Sequence, residues 1–272
     1  MYPIRWLTDF APLHALCQQE GWLGDAYERA PLQATALAFG AFDGPTCIGA
    51  ITGFLHEKSA WISHFVVAPS YRGKGLGRKL FEHILGILKN ESDSLYLHAE
   101  PKMEAFYASF GFFSSHNVTR YFRPGNTPTF FFQPGQNFKP ATLSLKLRMH
   151  DANAFGERRN VFLEHALSHP SSLMFCTSSG YLHSRMMEEK YLFLGPWVME
   201  KKEDAEEFLK ALLFFRGAKP IFADAPALPH IASLYERYGF VAKGTTVHMQ
   251  KGDPLPLAHK RIYAYGSTGV CG

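Results

Sequence analysis

The stretch from Val66 to Leu80 reads VVAPSYRGKGLGRKL and places a glycine-rich loop between a buried strand and a helix. The helix is predicted over residues 76–89, where leucine and isoleucine recur every three or four positions. Glycines in the loop let the backbone approach a ligand closely, and several amides are available at the start of a helix. The stretch therefore predicts a cradle for a pyrophosphate, with Arg72, Lys74 and Arg78 as counter-charges.

The spacing of the glycines separates this loop from other phosphate-binding loops. A Walker A loop requires Ser or Thr after its lysine, but Gly75 follows Lys74 here. A dinucleotide fingerprint requires a third glycine where Leu80 stands. The pattern that fits is [R/Q]-x-x-G-x-[G/A], which Arg72, Gly75 and Gly77 meet. A tight turn without a ligand is the alternative.

Short helices and strands alternate around this loop over residues 1–122. The predicted order is a helix from Asp9 to Gly21, strands at 34–42, 46–55 and 61–67, the helix 76–89, a strand at 95–99 and a helix at about 102–110. Residues 123–140 change character, because four prolines and two glycines exclude a regular helix. We interpret this segment as a docked linker in which the run Phe130–Phe132 packs as a strand.

The second half repeats the order of elements found in the first. The sequence FYASFGF at 106–112 resembles LYERYGF at 234–240, 128 positions later, and the strand that precedes each motif lies at a matching distance. Self-similarity at a fixed offset indicates a tandem duplication. The predicted boundaries are a first domain at 1–124, the linker at 125–140, a second domain at 141–251 and a tail at 252–272, which is an ordered loop or a free end.

The second half lacks the chemistry of the loop. At the position that corresponds to Arg72–Gly77 it reads GPWVME, from Gly195 to Glu200. Proline has no amide hydrogen, tryptophan is bulky, and a glutamate repels phosphate. We therefore expect no cofactor-binding loop in the second domain.

The loop pattern, together with Phe106-Tyr107 and Gly111-Phe112, resembles the GNAT superfamily of acyl-CoA-dependent N-acyltransferases. Glu20-Gly21-Trp22 is similar to a bacterial subgroup with a second, degenerate GNAT-like domain. The resemblance covers residues 1–122 well and residues 141–250 more weakly. It implies an α/β (α+β) class, with tandem folds that each contain a mixed, mostly antiparallel twisted sheet flanked by helices. It also implies transfer of an acetyl group from acetyl-CoA to an amine of a small molecule or peptide, by direct attack in a ternary complex.

The resemblance also assigns the residues that would contact acetyl-CoA. The amides of the loop hold the pyrophosphate, and the pantetheine arm pairs with the backbone of the preceding strand, where one amide polarises the thioester carbonyl. The cofactor-binding set implied in this way comprises Phe65, Val66, Val67, Arg72, Gly73, Lys74, Gly75, Leu76, Gly77 and Arg78.

Tyr107 is implied as the general acid for the departing thiolate. A phenol titrates near pH 10 and a thiol near 8.5, so full proton transfer is uphill by ~1.5 units, roughly 2 kcal/mol. We therefore expect Tyr107 to act mainly as a hydrogen-bond donor to developing negative charge. A core tyrosine is the alternative, and Tyr235 at the matching position of the second half illustrates it.

The general base is less sharply defined by the sequence. A lysine-like amine has a pKa of ~10.4, and its deprotonation at pH 7 costs ~4.6 kcal/mol. His98 and Glu100 project to one face of a strand, and either is expected to act as the base through water. Glu100 occupies a position where the family often has Asn. Strict alternation turns His64 away from the face of Trp61 and Ser63, where the bases of the family lie on that strand.

Composition limits the class of partner. The chain has 272 residues, a formal net charge of +4 and no run of five like charges, so neither a nucleic acid nor a membrane is expected as a partner. The N-terminus lacks the pattern of a signal peptide, and no apolar run is long enough for a membrane span. The four cysteines have no metal-ligand spacing, which predicts no structural metal and a cytoplasmic location. The sequence does not indicate an oligomeric state.

Two other functions are compatible with these sequence features. A non-catalytic acyl-CoA-binding or sensor module needs the loop but no base, and an interaction scaffold needs no ligand at all. Release of CoA with an amine separates the enzyme from the sensor, and stabilisation by acetyl-CoA separates both from the scaffold.

Overall fold

The computed structural model describes residues 2–22, 37–125 and 129–267. The strands are β1 (Ile4–Trp6), β2 (Leu37–Asp43), β3 (Thr46–Leu55), β4 (Ser59–Val67), β5 (Ser94–Ala99), β6 (Phe113–Arg123), β7 (Leu173–Cys176), β8 (Gly180–Met187), β9 (Tyr191–Met199), β10 (Ile221–Pro226), β11 (Val241–Gly252) and β12 (Ile262–Ala264). The helices are α1 (Ala11–Gln19), α2 (Leu76–Leu88), α3 (Glu104–Ala108), α4 (Leu145–Phe155), α5 (Asn160–Leu167), α6 (Ala205–Arg216) and α7 (Pro229–Arg237).

One mixed sheet contains these strands in the order β1-β2-β3-β4-β5-β11-β6-β10-β9-β8-β7, with β12 paired to β9. The pairs β4–β5 and β9–β10 are parallel, and the remaining pairs are antiparallel. The predicted α/β class, with a mixed and mostly antiparallel sheet flanked by helices, is confirmed.

The two halves of the chain exchange their last strands. β11 of the second half lies between β5 and β6 of the first, and β6 pairs on its other side with β10 of the second half. The sequence does not predict this exchange, because the hydrophobic pattern of a strand specifies its buried face and not its neighbour. The exchange brings side chains of both halves to the middle of the sheet.

The helices pack by the faces that their hydrophobic periodicity predicts. In α2 the buried side chains include Leu80 and Ile84, and this helix packs on β2, β3 and β4. Phe208 and Leu212 of α6 belong to a corresponding core in the second half. A third hydrophobic cluster contains Leu13 of α1 together with residues of α4 and α5, so it joins the two halves.

Two segments differ in form from their predicted structure. Phe130–Phe132 lies in a short 3-10 helix, Thr129–Phe132, which packs on α6 instead of forming a strand. Prolines on both sides leave this run too short for a strand, and a single turn docks it. Within the predicted tail, Ile262–Ala264 forms β12 and pairs with β9. Residues 34–36 of the strand predicted at 34–42 and Cys271 lie outside the described residues.

Candidate active site

The glycine-rich loop presents unpaired amides at the start of α2. β4 ends at Val67, a 3-10 turn follows at Pro69–Tyr71, and α2 begins at Leu76. None of the amides of residues 73–77 has a hydrogen-bond partner among the described residues. Amides at a helix N-terminus, together with the helix dipole, favour an anion. The arrangement fits an anionic phosphate group.

Two glycines of this loop are required for different reasons. Gly75 has a φ of 79°, a backbone conformation that residues with a Cβ rarely adopt. A Cβ added to Gly77 would lie 3.1 Å from Cζ of Phe65. Gly75 therefore serves the backbone of the loop, and Gly77 allows α2 to lie close to β4.

The basic side chains of the loop are held by other groups of the protein. Arg72 Nε donates to the carbonyl oxygen of Val67 at 2.7 Å, and its guanidinium forms an ion pair with Glu20. Lys74 Nζ donates to the carbonyl oxygen of Ser70 at 3.0 Å. Arg78 lies over the ring of Phe110, 4.7 Å from its centroid. These contacts fix three positive charges around the amides.

A cavity of about 680 Å³ opens where β4 and β5 separate. The two strands pair only from Ser59–Ser94 to Trp61–Tyr96, so the later backbone of β4 has no partner in β5. Six predicted cofactor-binding residues line the cavity, namely Phe65, Val66, Val67, Arg72, Gly73 and Gly77. The other four, Lys74, Gly75, Leu76 and Arg78, belong to the same loop and first turn of α2 but do not line it.

His64 interrupts the regular alternation of β4. Its φ is 46°, and the register of β3 and β4 shifts between Ala50 and Thr52, so β4 contains a bulge. As a result Ser63 and His64 both line the cavity. The expectation that His64 turns away from this face is wrong, because alternation holds only in a regular strand. His64 Nδ1 lies 3.0 Å from Oγ1 of Thr52.

Tyr107 of α3 lies on the wall of the cavity. Its side chain is 8% exposed, and no described residue hydrogen-bonds its hydroxyl. Burial, and then the charge of Glu100, raise the pKa of Tyr107 well above its usual value. The phenol therefore stays protonated at neutral pH and is able to donate a hydrogen bond into the cavity.

The two predicted bases also reach the cavity, in different environments. His98 lines it near the end of β5, and burial, followed by the charges of His116 and Arg120, lowers the pKa of this histidine to about 3. Glu100 lines the cavity just after β5 and forms an ion pair with Lys102 at 2.6 Å. His98 is therefore neutral at pH 7, and Glu100 is a partly exposed carboxylate beside an ammonium group.

The far wall of the cavity comes from the second half and from β6. Arg120 of β6 and Asp224 of β10 are directly opposite in register and form a bidentate ion pair, with distances of 2.8 and 2.6 Å. Thr245 and Thr246 of β11 line the same region. Sequence reasoning missed these residues, because only the strand exchange brings them to the site. The sequence offers one signal for this contact, namely the opposite charges of Arg120 and Asp224 in two strands.

In the second half, the residues that the sequence aligns with the glycine-rich loop do not form a loop. β9 continues through Met199, so Gly195–Met199 lies in a strand, and Trp197 is fully buried. The apolar residues Trp197, Val198 and Met199 extend this strand into the segment that the sequence aligns with the loop. The connection from β9 to α6 is residues 200–204, which contain no glycine, and the first turn of α6 carries Glu206 and Glu207.

Other features of the described residues bear on chemistry and location. Within the ranges that the structure describes, no three His, Cys, Asp or Glu side chains are grouped to hold a metal ion. None of the described helices is both long and apolar enough to span a membrane. Cys47 and Cys176 are free thiols.

Family models match both halves of the chain. Residues 2–112 match the acetyltransferase (GNAT) family, and residues 147–264 match an acetyltransferase (GNAT) domain. Together the two matches cover most of the 272 residues, so the chain belongs to the GNAT acetyltransferases and contains two domains of this family in tandem. No protein with a curated description matches the chain.

Solved structures show the same tandem fold. The chain is similar to a candidate acetyltransferase from Pyrococcus horikoshii, with 19% identity, a TM-score of 0.82, and 97% of this chain and 94% of that chain covered. It is also similar to a tandem GNAT protein from the clavulanic acid biosynthesis pathway, with 12% identity, a TM-score of 0.63, and coverage of 88% and 93%. At such identities the likeness shows the fold alone.

Proposed function

We propose that this protein transfers an acetyl group from acetyl-CoA to an amine of a small molecule or peptide. The observation that carries the proposal is a single cavity that joins unpaired loop amides, the separated end of β4 and the hydroxyl-bearing side chain of Tyr107. Phosphate, pantetheine and thioester would each meet a suitable group there. The separate roles of the cofactor-binding set and of Tyr107, His98 and Glu100 are part of this proposal.

The reaction needs three tasks from the protein. The backbone of β4 from Phe65 to Val67 orients the thioester, and one amide stabilises negative charge on its carbonyl oxygen. The amine nitrogen attacks the carbonyl carbon, the C–N bond forms, and the C–S bond breaks. Tyr107 donates a hydrogen bond to the departing thiolate, and the amine gives up one proton, through water, to His98 or to Glu100. Both substrates are bound together, so no acetyl group is held by the protein.

The second domain supplies no phosphate-binding loop in this proposal and instead shapes the acceptor end of the cavity. Its contribution there is Asp224 with Thr245 and Thr246, and the ion pair of Asp224 with Arg120 fixes the wall. We place the predicted domains at 1–124, 125–140, 141–251 and 252–272, although β6 and β11 cross this division in space. The wide spacing of the four cysteines along the chain supports a cytoplasmic location.

The test measures release of CoA from acetyl-CoA with a panel of small-molecule and peptide amines. We expect at least one amine to give saturable release, and Tyr107→Phe to lower kcat by about 100-fold with little change in the KM for acetyl-CoA. Tyr191→Phe is the matched control, because Tyr191 starts β9 and does not line the cavity. Full activity of Tyr107→Phe would remove Tyr107 from the mechanism.

The same samples distinguish the sensor and the scaffold. If acetyl-CoA raises the Tm but no amine increases release of CoA, the protein is a non-catalytic acyl-CoA-binding module. Two features favour this alternative: the sequence does not single out one general base, and the second domain has no phosphate-binding loop. If acetyl-CoA leaves the Tm unchanged, both ligand-based functions are wrong.

A further inference from the structure

Three histidines form a row across neighbouring strands. His98 of β5 lies opposite His248 of β11, which lies opposite His116 of β6. The ring centroids of His98 and His248 are 5.5 Å apart, and those of His248 and His116 are 4.5 Å apart. The row depends on the strand exchange, because the second half supplies its middle member.

One end of the row lies in the cavity and the other at the surface. His98 lines the cavity, but its Nε2 is shielded from solvent and has no hydrogen-bond partner within the described part of the chain. His248 is fully buried, and its Nε2 also lacks a partner there. Ser115, next to His116, is exposed. The row therefore leads from the cavity, through the interior, to solvent.

A bulge in β6 connects the rings by hydrogen bonds. The register of β6 and β11 shifts between His248 and Met249, which leaves Ser115 as an extra residue. Ser115 Oγ lies 2.8 Å from Nδ1 of His248 and 2.8 Å from Nδ1 of His116. Since a hydroxyl has one proton, Ser115 donates to one ring and accepts from the other. The hydroxyl of Tyr265 lies 2.7 Å from Nε2 of His116 and holds this ring in place.

We propose that His98, His248 and Ser115 form a proton relay that carries the proton released by the acceptor amine from the cavity to solvent. The relay rests on the proposed function. As the C–N bond forms, the amine gives one proton to a ring nitrogen of His98, and Nε2 of His98 passes a proton through one water to Nε2 of His248. Nδ1 of His248 then gives a proton to Ser115 Oγ, which releases its own to His116 or to solvent. Each group gains one proton and loses one.

The electrostatics of the row favour passage of a proton over its storage. Burial, and then the other histidines, lower the pKa of His248 well below its usual value. Burial, and then His259, lower the pKa of His116 to about 4, and the pKa of His98 is about 3 for the reasons given above. The rings are neutral at pH 7, so each has one nitrogen that accepts a proton and one that donates.

The test compares His248→Gln with His259→Gln in acetyl transfer to the amine that gives the fastest CoA release in the panel. Glutamine retains hydrogen bonding but does not exchange protons between two nitrogens. His259 is the matched control, because its ring lies 4.2 Å from that of His116 without a hydrogen bond between them in the described residues. We expect His248→Gln to lower kcat by about tenfold or more and to leave the KM for acetyl-CoA unchanged.

Two further readouts separate a relay from a structural role. In His248→Gln the solvent deuterium isotope effect on kcat should increase, because proton transfer then limits the rate. Ser115→Ala should reproduce the effect in weaker form, and Ser115→Thr, which retains a hydroxyl, should restore the wild-type kcat. We expect His259→Gln to match the wild-type protein in each measurement.

Three results would overturn the relay. The first is wild-type kcat and isotope effect in folded His248→Gln, and the second is a loss of kcat in His248→Gln that Ser115→Ala does not reproduce. If His248→Gln does not fold, equal rates for Ser115→Ala and Ser115→Thr are the third. A wild-type protein that releases no CoA with any amine overturns the proposed function, and the relay with it, before any variant is compared.

Discussion

At the scale of single residues, Gly75 allows binding and folding to be separated. Its φ of 79° strains most side chains, but asparagine adopts such a backbone more readily than other residues. Gly75→Asn should therefore lower the free energy of unfolding by no more than about 1 kcal/mol. Its side chain would occupy the space that the pyrophosphate needs, so the Kd for CoA should rise by about tenfold, or ~1.4 kcal/mol. Calorimetric titration and urea unfolding measure the two quantities.

Gly44 provides a matched control for this substitution. It lies in the turn between β2 and β3 with a φ of 56°, and an added Cβ would meet no atom within 4 Å. Gly44→Asn should have a similar effect on stability and leave the affinity for CoA unchanged. If Gly75→Asn binds CoA as tightly as the wild-type protein does, the pyrophosphate is bound elsewhere.

Two tyrosines in the repeated motif show how surroundings determine a role. The hydroxyl of Tyr235 donates to the carbonyl oxygen of Tyr263 at 3.0 Å, and its fully buried ring stacks on Tyr121. Tyr107 instead lines a cavity, where no described residue uses its hydroxyl. The sequence predicts both positions, but it does not distinguish them, because the difference lies in neighbours that are distant along the chain.

At the scale of secondary structure elements, the ion pair of Arg120 and Asp224 connects β6 to β10 across the exchange. Asp224 is 5% exposed, so its carboxylate is largely removed from water. Asp224→Asn removes the buried charge of a pair whose other member, Arg120, has a side chain that is 32% exposed, and should lower the free energy of unfolding by about 2 kcal/mol. Urea unfolding with the m-value monitored provides the measurement.

An exposed ion pair serves as the control for Asp224. Arg148 and Glu164 lie 3.0 Å apart, with a glutamate side chain that is 57% exposed. Exposed pairs contribute little, so Glu164→Gln should change the free energy of unfolding by less than about 0.5 kcal/mol. Equal effects of the two substitutions would show that the Arg120–Asp224 pair does not stabilise the exchanged strands.

The sequence predicts the elements better than it predicts their partners. The periodicity of residues 76–89 predicts α2 to within one residue, and the apolar run at 46–55 coincides with β3. Local pattern determines both, because each element buries one face. The bulge at His64, the position of β11 and the far wall of the cavity depend on pairing between distant strands, for which a single sequence contains no local signal.

At the scale of the whole molecule, buried neutral histidines make stability depend on pH. Burial is the main cause that lowers the pKa of His98 and of His183 to about 3, against a value of ~6.5 in an unfolded chain. The unfolded state therefore binds more protons, so this stability is complete above pH 6.5 and decreases as the pH falls toward 3. At pH 5 the loss is about 2 kcal/mol for each such histidine.

Thermal unfolding at pH 7.5 and pH 5 tests this dependence. The wild-type Tm should be lower at pH 5, by several degrees for a chain of this size. His98→Gln removes one of the groups that titrate, so the difference in Tm between the two pH values should become smaller. An equal Tm at both pH values would contradict the buried and neutral state of these histidines.

The exchanged strands also bear on how such a chain evolves. Two copies of a one-domain ancestor that swapped their last strands would form a symmetric dimer with the same central strand order, β5-β11-β6-β10. Fusion of the two genes keeps the interlocked sheet and removes the need for identical copies. A second copy without a phosphate-binding loop must still supply its last strand, because β11 completes the first copy's sheet between β5 and β6.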